Sequence, residues 1–205
     1  KNAWMDTYYE RVDPHTFYRE LFPVGSFERK GHYEDGKGNG IGICVDIGER
    51  ASEGVVGAPG TSGNRDDVKV SAEKYILNDG LESLDEMIGK KFVIMSPVSY
   101  YGKSRVGKNA RYIYAIAFDL DGVEMPQLRD TFHEMKRGMI PEATFVVNSG
   151  TGLHLYYFLE SPVAMYPQFQ AFLRELKYAL TRRIWNNYTS TLKEPQIQSV
   201  LQGFR

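Results

Sequence analysis

Two aspartates, Asp119 and Asp121, stand at the end of an apolar run and give the clearest chemical signal in the sequence. The run from Tyr112 to Phe118 has the length and composition of a buried strand. Because side chains alternate along a strand, both carboxylates point the same way, about 6 to 7 Å apart. Their mutual repulsion would be relieved by Mg²⁺ or Mn²⁺, which prefer carboxylate oxygens. The alternative is two hydrated aspartates that begin a turn at Gly122.

A glycine-rich segment with a histidine, Ser149-Gly-Thr-Gly-Leu-His154, gives the second signal. A tight turn with two glycines and two hydroxyl residues can present backbone N–H groups to an anion. His154 then begins the next strand and can add a charged hydrogen bond to the same phosphate. The alternative is an ordinary glycine-rich hairpin followed by a core histidine. The candidate phosphate-binding residues are Ser149, Gly150, Gly152 and His154.

A basic loop leads into the acidic strand. Between positions 102 and 111 it has four cations and no acid, next to Tyr100 and Tyr101. Such a patch suits phosphates and stacked bases, although a hydrated loop is the simpler alternative. Gly102-Lys103-Ser104 is similar to the end of a Walker A motif, but Pro97 replaces the required upstream glycine, which excludes that motif. The four cations are Lys103, Arg105, Lys108 and Arg111.

The composition of the chain excludes several classes of protein. The chain has 205 residues, of which 42% are hydrophobic and 25% charged, which is typical of a globular protein. A formal net charge of −1 indicates that any nucleic-acid contact is local. The single cysteine, Cys44, excludes an internal disulfide and a cysteine-based zinc cluster. No apolar run is long enough to span a membrane, so we expect a cytoplasmic protein without a membrane partner. Because the chain begins at Lys1, we expect a fragment of a longer protein.

The periodicity of apolar residues predicts alternating strands and helices. From position 112 onward the predicted order is β-α-β-β-α, which lacks only the last strand of a ferredoxin-like unit. The first and third strands of such a sheet are central neighbours, so the aspartates and His154 are expected on one face. The glycine-rich segment 25–64, with apolar runs at 41–47 and 55–56, predicts hairpins or exposed loops rather than a linker, because the runs need a sheet to bury them. The predicted helices are 13–22, 81–88, 126–137 and 167–187, and the predicted strands are 92–95, 112–119, 143–148 and 153–159.

The last predicted helix carries a long apolar stripe, which we interpret as core rather than as a binding surface. Pro167 fits the first turn of this helix. The stripe consists of Phe169, Phe172, Leu173, Leu176, Leu180 and Ile184.

Three segments together resemble the motifs of the archaeo-eukaryotic primase superfamily, in its primase-polymerase branch. They are Asp119-Leu-Asp121, Ser149-Gly-Thr-Gly-Leu-His154 and Gln202-Gly-Phe-Arg205. The branch is typical of replication proteins from plasmids, phages and other mobile elements, and the resemblance runs from about Phe92 to Arg205. It implies an α+β fold in which an RNA-recognition-like catalytic half, 106–205, packs against an N-terminal α/β unit, 1–105, within one catalytic domain.

The resemblance also implies an activity. A primase-polymerase is a nucleotidyltransferase that makes primers or longer strands on a DNA template from nucleoside triphosphates, with two divalent metal ions. Its expected partners here are nucleoside triphosphates, single-stranded DNA template and primer, and a helicase domain or protein. By the match, Asp119 and Asp121 hold Mg²⁺ or Mn²⁺, and His154 is a catalytic residue. The implied nucleotide-binding residues are Ser149, Gly150, Gly152, His154 and Arg205, and the implied DNA or phosphate contacts are Lys103, Arg105 and Lys108.

The sequence departs from the family in its last segment. A third acidic metal ligand is expected before the terminal arginine, and Glu194 is the only acid there. Gln198 or Gln202 could occupy the position instead, and a neutral amide offsets metal charge less well than a carboxylate does. The glycine, hydroxyl residue and lysine that tend to follow the arginine in the family are absent from this sequence.

Two alternative functions remain. The first is a primase-like module that binds nucleotides or nucleic acid, or docks a helicase, with weak or no catalysis. The second is a phosphatase, because Phe118-Asp-Leu-Asp-Gly-Val123 also resembles the nucleophile motif of haloacid-dehalogenase-type enzymes. Such enzymes carry that motif near their start and need further downstream aspartates for Mg²⁺, whereas no aspartate follows Asp130 here.

Overall fold

The computed structural model describes residues 1–47, 70–90, 92–196 and 198–204, which form an α+β fold with two antiparallel sheets. The apolar run at 55–56 and Arg205 lie outside the described residues. In chain order the elements are α1 (Asn2–Met5), α2 (Pro14–Leu21), β1 (Gly40–Ile47), β2 (Val70–Leu77), α3 (Ser83–Met87), β3 (Val93–Ile94), β4 (Val98–Tyr100), a 3₁₀ turn (Gly107–Asn109), β5 (Ala110–Leu120), α4 (Met125–Lys136), β6 (Phe145–Asn148), β7 (Leu153–Ala164) and α5 (Pro167–Ile184).

The first predicted helix is confirmed as α2. The Asp13 carboxylate caps it by accepting hydrogen bonds from the Thr16 amide at 3.1 Å and the Thr16 hydroxyl at 2.7 Å. Pro14 occupies the first turn, where its missing N–H costs no helical hydrogen bond.

The smaller sheet has the strand order β2-β1-β3. The apolar run at 41–47, for which a hairpin or an exposed loop was predicted, forms β1, which pairs with β2 from Gly40 opposite Leu77 to Ile47 opposite Val70. The sequence interpretation did not assign β2, because charged residues interrupt its apolar pattern in Val70-Ser-Ala-Glu-Lys-Tyr-Ile-Leu77.

The larger sheet has the strand order β4-β5-β7-β6, so β5 and β7 form its central antiparallel pair. The predicted β-α-β-β-α order is confirmed from β5 to α5. The place beside β5 where a ferredoxin-like unit would have its last strand is taken by β4, which precedes β5 in the chain. A different piece of chain therefore completes this edge of the sheet.

The two faces of β5 are buried by different parts of the molecule. Ile116, Phe118 and Leu120 belong to a core that also contains residues of α4 and α5. Ala115 and Ala117 belong to a second core, which includes aromatic residues from the N-terminal half. Asp119 follows this alternation and therefore lies on the second face.

The α5 helix corrects one sequence interpretation. Phe169 and Phe172, predicted to be core, are 45% and 63% exposed. The buried row is instead Leu173, Lys177, Thr181 and Ile184, at helical spacing along the side that faces the protein. The predicted stripe was wrong at the start of the helix. It was drawn through apolar residues only, and it therefore left out Lys177 and Thr181, which belong to the buried row. None of the helices in the described part of the chain is both long and apolar enough to cross a membrane.

The N-terminal half is attached to the larger sheet by a backbone bridge between Asn39 and Tyr100. Each N–H donates to the other residue's carbonyl oxygen, and both N···O distances are 2.8 Å. Gly38 lies so close to this bridge that a Cβ atom there would stand 2.8 Å from the Tyr100 carbonyl oxygen.

We expect Gly38→Ala to lower the free energy of unfolding by about 1 to 3 kcal/mol, because backbone cannot yield to the added methyl group. The matched control is Gly107→Ala, whose new Cβ would make only an ordinary 3.5 Å contact with Leu201. Urea unfolding of the two variants measures the difference. Equal midpoints would contradict the close approach at Gly38.

Candidate active site

Asp119 and His154 face each other across the central strand pair of the larger sheet. They are direct partners in the β5–β7 register, so their side chains leave the sheet on the same face. The distance from Asp119 Oδ1 to His154 Nε2 is 3.5 Å, and His154 is only 3% exposed. Asp121 follows two residues later, and Gly122 then turns the chain with φ at +68°. The structure thus brings the acidic strand end and the imidazole together.

Burial controls the charges of this pair. The pKa of Asp119 is raised to about 6, mainly by burial and also by the nearby Asp121 carboxylate, while Lys177 opposes the shift. Burial also lowers the pKa of His154 to about 4, so its imidazole is neutral at pH 7. The contact with Asp119 is therefore not an ion pair at that pH, and the imidazole of the ligand-free protein lacks the charge that a charged hydrogen bond to a phosphate would need. Nδ1 of His154 is buried without a hydrogen-bond partner among the described residues.

The donor set suits a hard divalent cation. Asp119 and Asp121 offer carboxylate oxygens that are close enough to interact, and this negative charge is poorly compensated, as the raised pKa of Asp119 shows. Within the described ranges, no group of three or more His, Cys, Asp and Glu side chains could hold a metal. Glu194 instead lines a separate cavity of about 350 Å³ with Tyr178 and Arg182. Mg²⁺ commonly binds through only one or two carboxylates and keeps several waters, so the aspartates alone fit it.

The glycine turn lies directly beside the acidic strand end. The Val123 amide donates to the Thr151 carbonyl oxygen at 3.1 Å, and a Cβ atom on Gly152 would collide with the Leu120 carbonyl oxygen. The N–H groups expected to bind an anion are used inside the turn. Gly150 donates to Asn148 Oδ1 and Gly152 to Ser149 Oγ, at 3.1 and 3.2 Å. A phosphate would have to replace these hydrogen bonds.

A segment that we call the C-terminal strap, Gln198–Phe204, runs along the open end of β5. Gln198 binds both backbone groups of Asp119, accepting from its N–H at 3.0 Å and donating to its carbonyl oxygen at 2.6 Å. At the other end, Phe204 and Met95 exchange backbone hydrogen bonds of 2.6 and 2.9 Å. The Phe204 ring lies edge-on to His154, with centroids 5.3 Å apart. The Gln198 amide is thus already engaged by the backbone of β5.

Lys177 is the site residue that sequence reasoning missed. It is 2% exposed, and its ammonium donates to the Ser199 carbonyl oxygen at 2.8 Å. The nitrogen also lies 5.6 and 5.5 Å from the ring centroids of Phe118 and Phe204. Burial lowers the pKa of Lys177 to about 7, while Asp119 acts in the opposite direction. Its four-residue spacing from Leu173 was the available signal, since it places the lysine on the buried side of α5.

The basic loop reaches the site only in part. Arg105 donates to the Leu201 carbonyl oxygen at 3.2 Å and so holds the C-terminal strap. Lys103 and Lys108 are exposed, and β5 begins at Ala110. Nine residues at about 3.3 Å each place that end of β5 about 30 Å from Asp119.

No protein-family model matches this chain, and neither a curated protein nor a solved structure does. The function therefore has to be inferred from the positions of the chain's own side chains.

We expect Gln198→Leu to lower the free energy of unfolding by about 1 to 3 kcal/mol, because the Asp119 N–H and carbonyl oxygen lose their partners. Hydrogen exchange at the Asp119 amide should accelerate. The control is Gln202→Leu, since the Gln202 side chain makes no hydrogen bond within the described residues. Unchanged exchange at Asp119 in Gln198→Leu would show that the amide does not hold β5 in solution.

The lowered pKa of Lys177 predicts a pH-dependent stability. The unfolded chain keeps the lysine proton up to its ordinary pKa of 10.5, whereas the folded chain releases it near 7. The unfolded state therefore binds more protons between these values, and the free energy of unfolding should rise by about 1 kcal/mol per pH unit above pH 7. Chemical unfolding from about pH 7 to 9 measures the slope.

The slope should disappear in Lys177→Met and persist in Lys136→Met, which changes an exposed lysine of α4. A slope retained in Lys177→Met would assign it to another group.

Proposed function

We propose that the chain catalyses template-dependent nucleotidyl transfer, as a DNA primase or DNA polymerase in the replication of a mobile element, phage or plasmid. The observation that carries this proposal is the pairing of Asp119 with His154, with the Asp121 carboxylate close enough to act on both and the glycine turn alongside. The β-α-β-β-α order and the central position of β5 and β7 support an RNA-recognition-like catalytic half. We place that half at 106–205 and the N-terminal unit at 1–105, with β4 added to the catalytic sheet.

Asp119 and Asp121 would hold Mg²⁺ or Mn²⁺. Such ions activate the attacking 3′-hydroxyl and neutralise the pyrophosphate leaving group. The protein's contribution is to fix the two carboxylates before substrate arrives. Strand pairing with β7 holds one side of Asp119, and Gln198 holds the other side through the backbone.

His154 would orient the triphosphate without adding charge. A neutral imidazole donates through one ring nitrogen, so it positions a phosphate oxygen rather than attracting it from a distance. The Phe204 ring packs against the imidazole and limits its rotation. Ser149, Gly150 and Gly152 would bind the same triphosphate once their internal hydrogen bonds are exchanged, and Arg205, which follows Phe204 directly, remains a predicted contributor.

A second candidate is a module that binds nucleotides with weak or no catalysis. It is favoured by the absence of a third acid beside Asp119 and Asp121 within the described residues. The neutral amide of Gln198 is already engaged by the Asp119 backbone, and an amide offsets metal charge less well than a carboxylate does.

We expect primer extension on a single-stranded DNA template, with labelled nucleotides and Mg²⁺ or Mn²⁺, to yield product. Asp119→Asn and Asp121→Asn should each lower the rate by about two orders of magnitude or more, because an amide loses the metal-binding charge. The matched control is Asp130→Asn, which changes an aspartate on α4 and should retain activity.

Nucleotide binding without product in the unmodified protein would contradict catalysis and favour the binding module. Release of phosphate without extension would favour the haloacid-dehalogenase-type alternative. Supplying ribonucleotides and deoxyribonucleotides in separate reactions distinguishes primer synthesis from DNA synthesis.

A further inference from the structure

Two exposed tyrosines form a surface that the acidic site does not use. Tyr33 is 65% exposed and Tyr101 is 47% exposed, although both have large apolar rings. Their ring centroids are 6.2 Å apart, and the planes meet at 88°. We call Tyr33 and Tyr101 the tyrosine platform. Tyr100, which the sequence placed beside Tyr101, is buried and its hydroxyl shares a hydrogen bond with Ser96.

The backbone holds the platform in place. The bridge between Asn39 and Tyr100 brings the segment that carries Tyr33 next to the end of β4. On the other side, the Tyr101 amide donates to the Asn109 carbonyl oxygen at 2.7 Å, which closes the basic loop. The two tyrosines thus come from separate segments that are tied to the same strand, so their exposure is not the result of a loose terminus.

Positive charge lies on the Tyr101 side of the platform. The Arg111 guanidinium lies 5.7 Å from the centroid of the Tyr101 ring, and its Nε is buried without a partner among the described residues. Lys103 and Lys108, both exposed and in the loop that Tyr101 begins, form no ion pair within the described ranges. Two acids are adjacent: Glu34 is paired with Lys37 at 2.7 Å, and the exposed Asp35 accepts a 3.5 Å hydrogen bond from the Tyr33 hydroxyl. The result is aromatic surface with Arg111, Lys103 and Lys108 on the Tyr101 side and one carboxylate, Asp35, beside Tyr33.

We propose that the tyrosine platform, with Lys103 and Lys108, binds a single strand of nucleic acid. Bases stack on the tyrosine rings, which accept any base because every base has a π face, and the lysines neutralise phosphates. A duplex buries its base faces and cannot use the rings in this way. The inference rests on the proposed function, for which the strand is the template. The loop joins β5 at Ala110, the end of the strand opposite to Asp119, so the tyrosine platform contacts the template at a place separate from the acidic residues.

Binding is measured by fluorescence anisotropy with a labelled oligo(dT) of about 12 nucleotides, without metal ions or nucleotides. The double variant Tyr33→Ala/Tyr101→Ala should bind about 10-fold or more weakly. Tyr33→Phe/Tyr101→Phe keeps both rings and should bind like the unmodified protein. The control Tyr188→Ala removes a tyrosine that is 66% exposed elsewhere and should also bind normally.

The salt dependence of the affinity for oligo(dT) tests the contribution of the two lysines. Lys103→Ala/Lys108→Ala should reduce the slope of log affinity against log salt by about 0.7 for each lysine removed. Circular dichroism and urea unfolding verify that the exposed substitutions leave the fold intact.

Affinity unchanged in Tyr33→Ala/Tyr101→Ala would overturn the proposal, and so would equal loss in the alanine and phenylalanine variants. Duplex DNA bound as tightly as oligo(dT) would also overturn it. Failure of the proposed function gives a different pattern. If the tyrosine-dependent affinity is found but no nucleotide is incorporated, the strand-binding site stands and nucleotidyl transfer does not.

Discussion

The pairing of β5 with β7 is the constraint on which the acidic site depends. It places Asp119 opposite His154 and buries His154 fully and Asp119 in part, although neither group gains a full partner in exchange. Burial removes the positive charge of the imidazole and raises the pKa of the carboxylate. Burial of an ionisable group without a hydrogen-bond or charge partner lowers the stability of a folded protein, so folds usually avoid it. Unfavourable charge kept at a strand end is a common property of sites that bind ligands.

The C-terminal strap covers the part of β5 that β4 leaves unpaired. β4 pairs with β5 only from Val98 to Tyr100, so the half of β5 that carries Asp119 would have unpaired backbone groups on that side. Gln198 supplies a side-chain amide in place of a strand, and Lys177 and Arg105 hold the next carbonyl oxygens of the strap. The result links α5, the basic loop and the acidic strand through one short segment.

Sequence patterns predicted the elements well where the periodicity was simple. The apolar run before Asp119 and the Asp13-Pro14 start gave β5 and α2, with ends within two or three residues. The order of elements also placed Asp119 and His154 on neighbouring strands. Burial of charge was not predictable in the same way. Lys177 and Gln198 are polar residues whose partners are distant in sequence, and a pattern that counts apolar residues excludes them.

The glycine turn shows a further limit of sequence reasoning. Its composition indicates that backbone N–H groups are accessible, but the side chains of Asn148 and Ser149 can satisfy them locally. The same residue types that suit an anion therefore also close the turn without one. The ligand determines whether the turn is closed by its own side chains or opened around an anion, and the composition of the segment is the same in both states.

The hydrogen bonds of Gln198 have a consequence for how copies of this protein behave toward each other. An open strand edge is a template on which a second chain can add its own strand, and natural sheets cover or interrupt such edges. One glutamine side chain performs that covering role beside Asp119. The residue that orders the acidic strand thereby also occupies backbone groups on which the edge of another chain could otherwise pair.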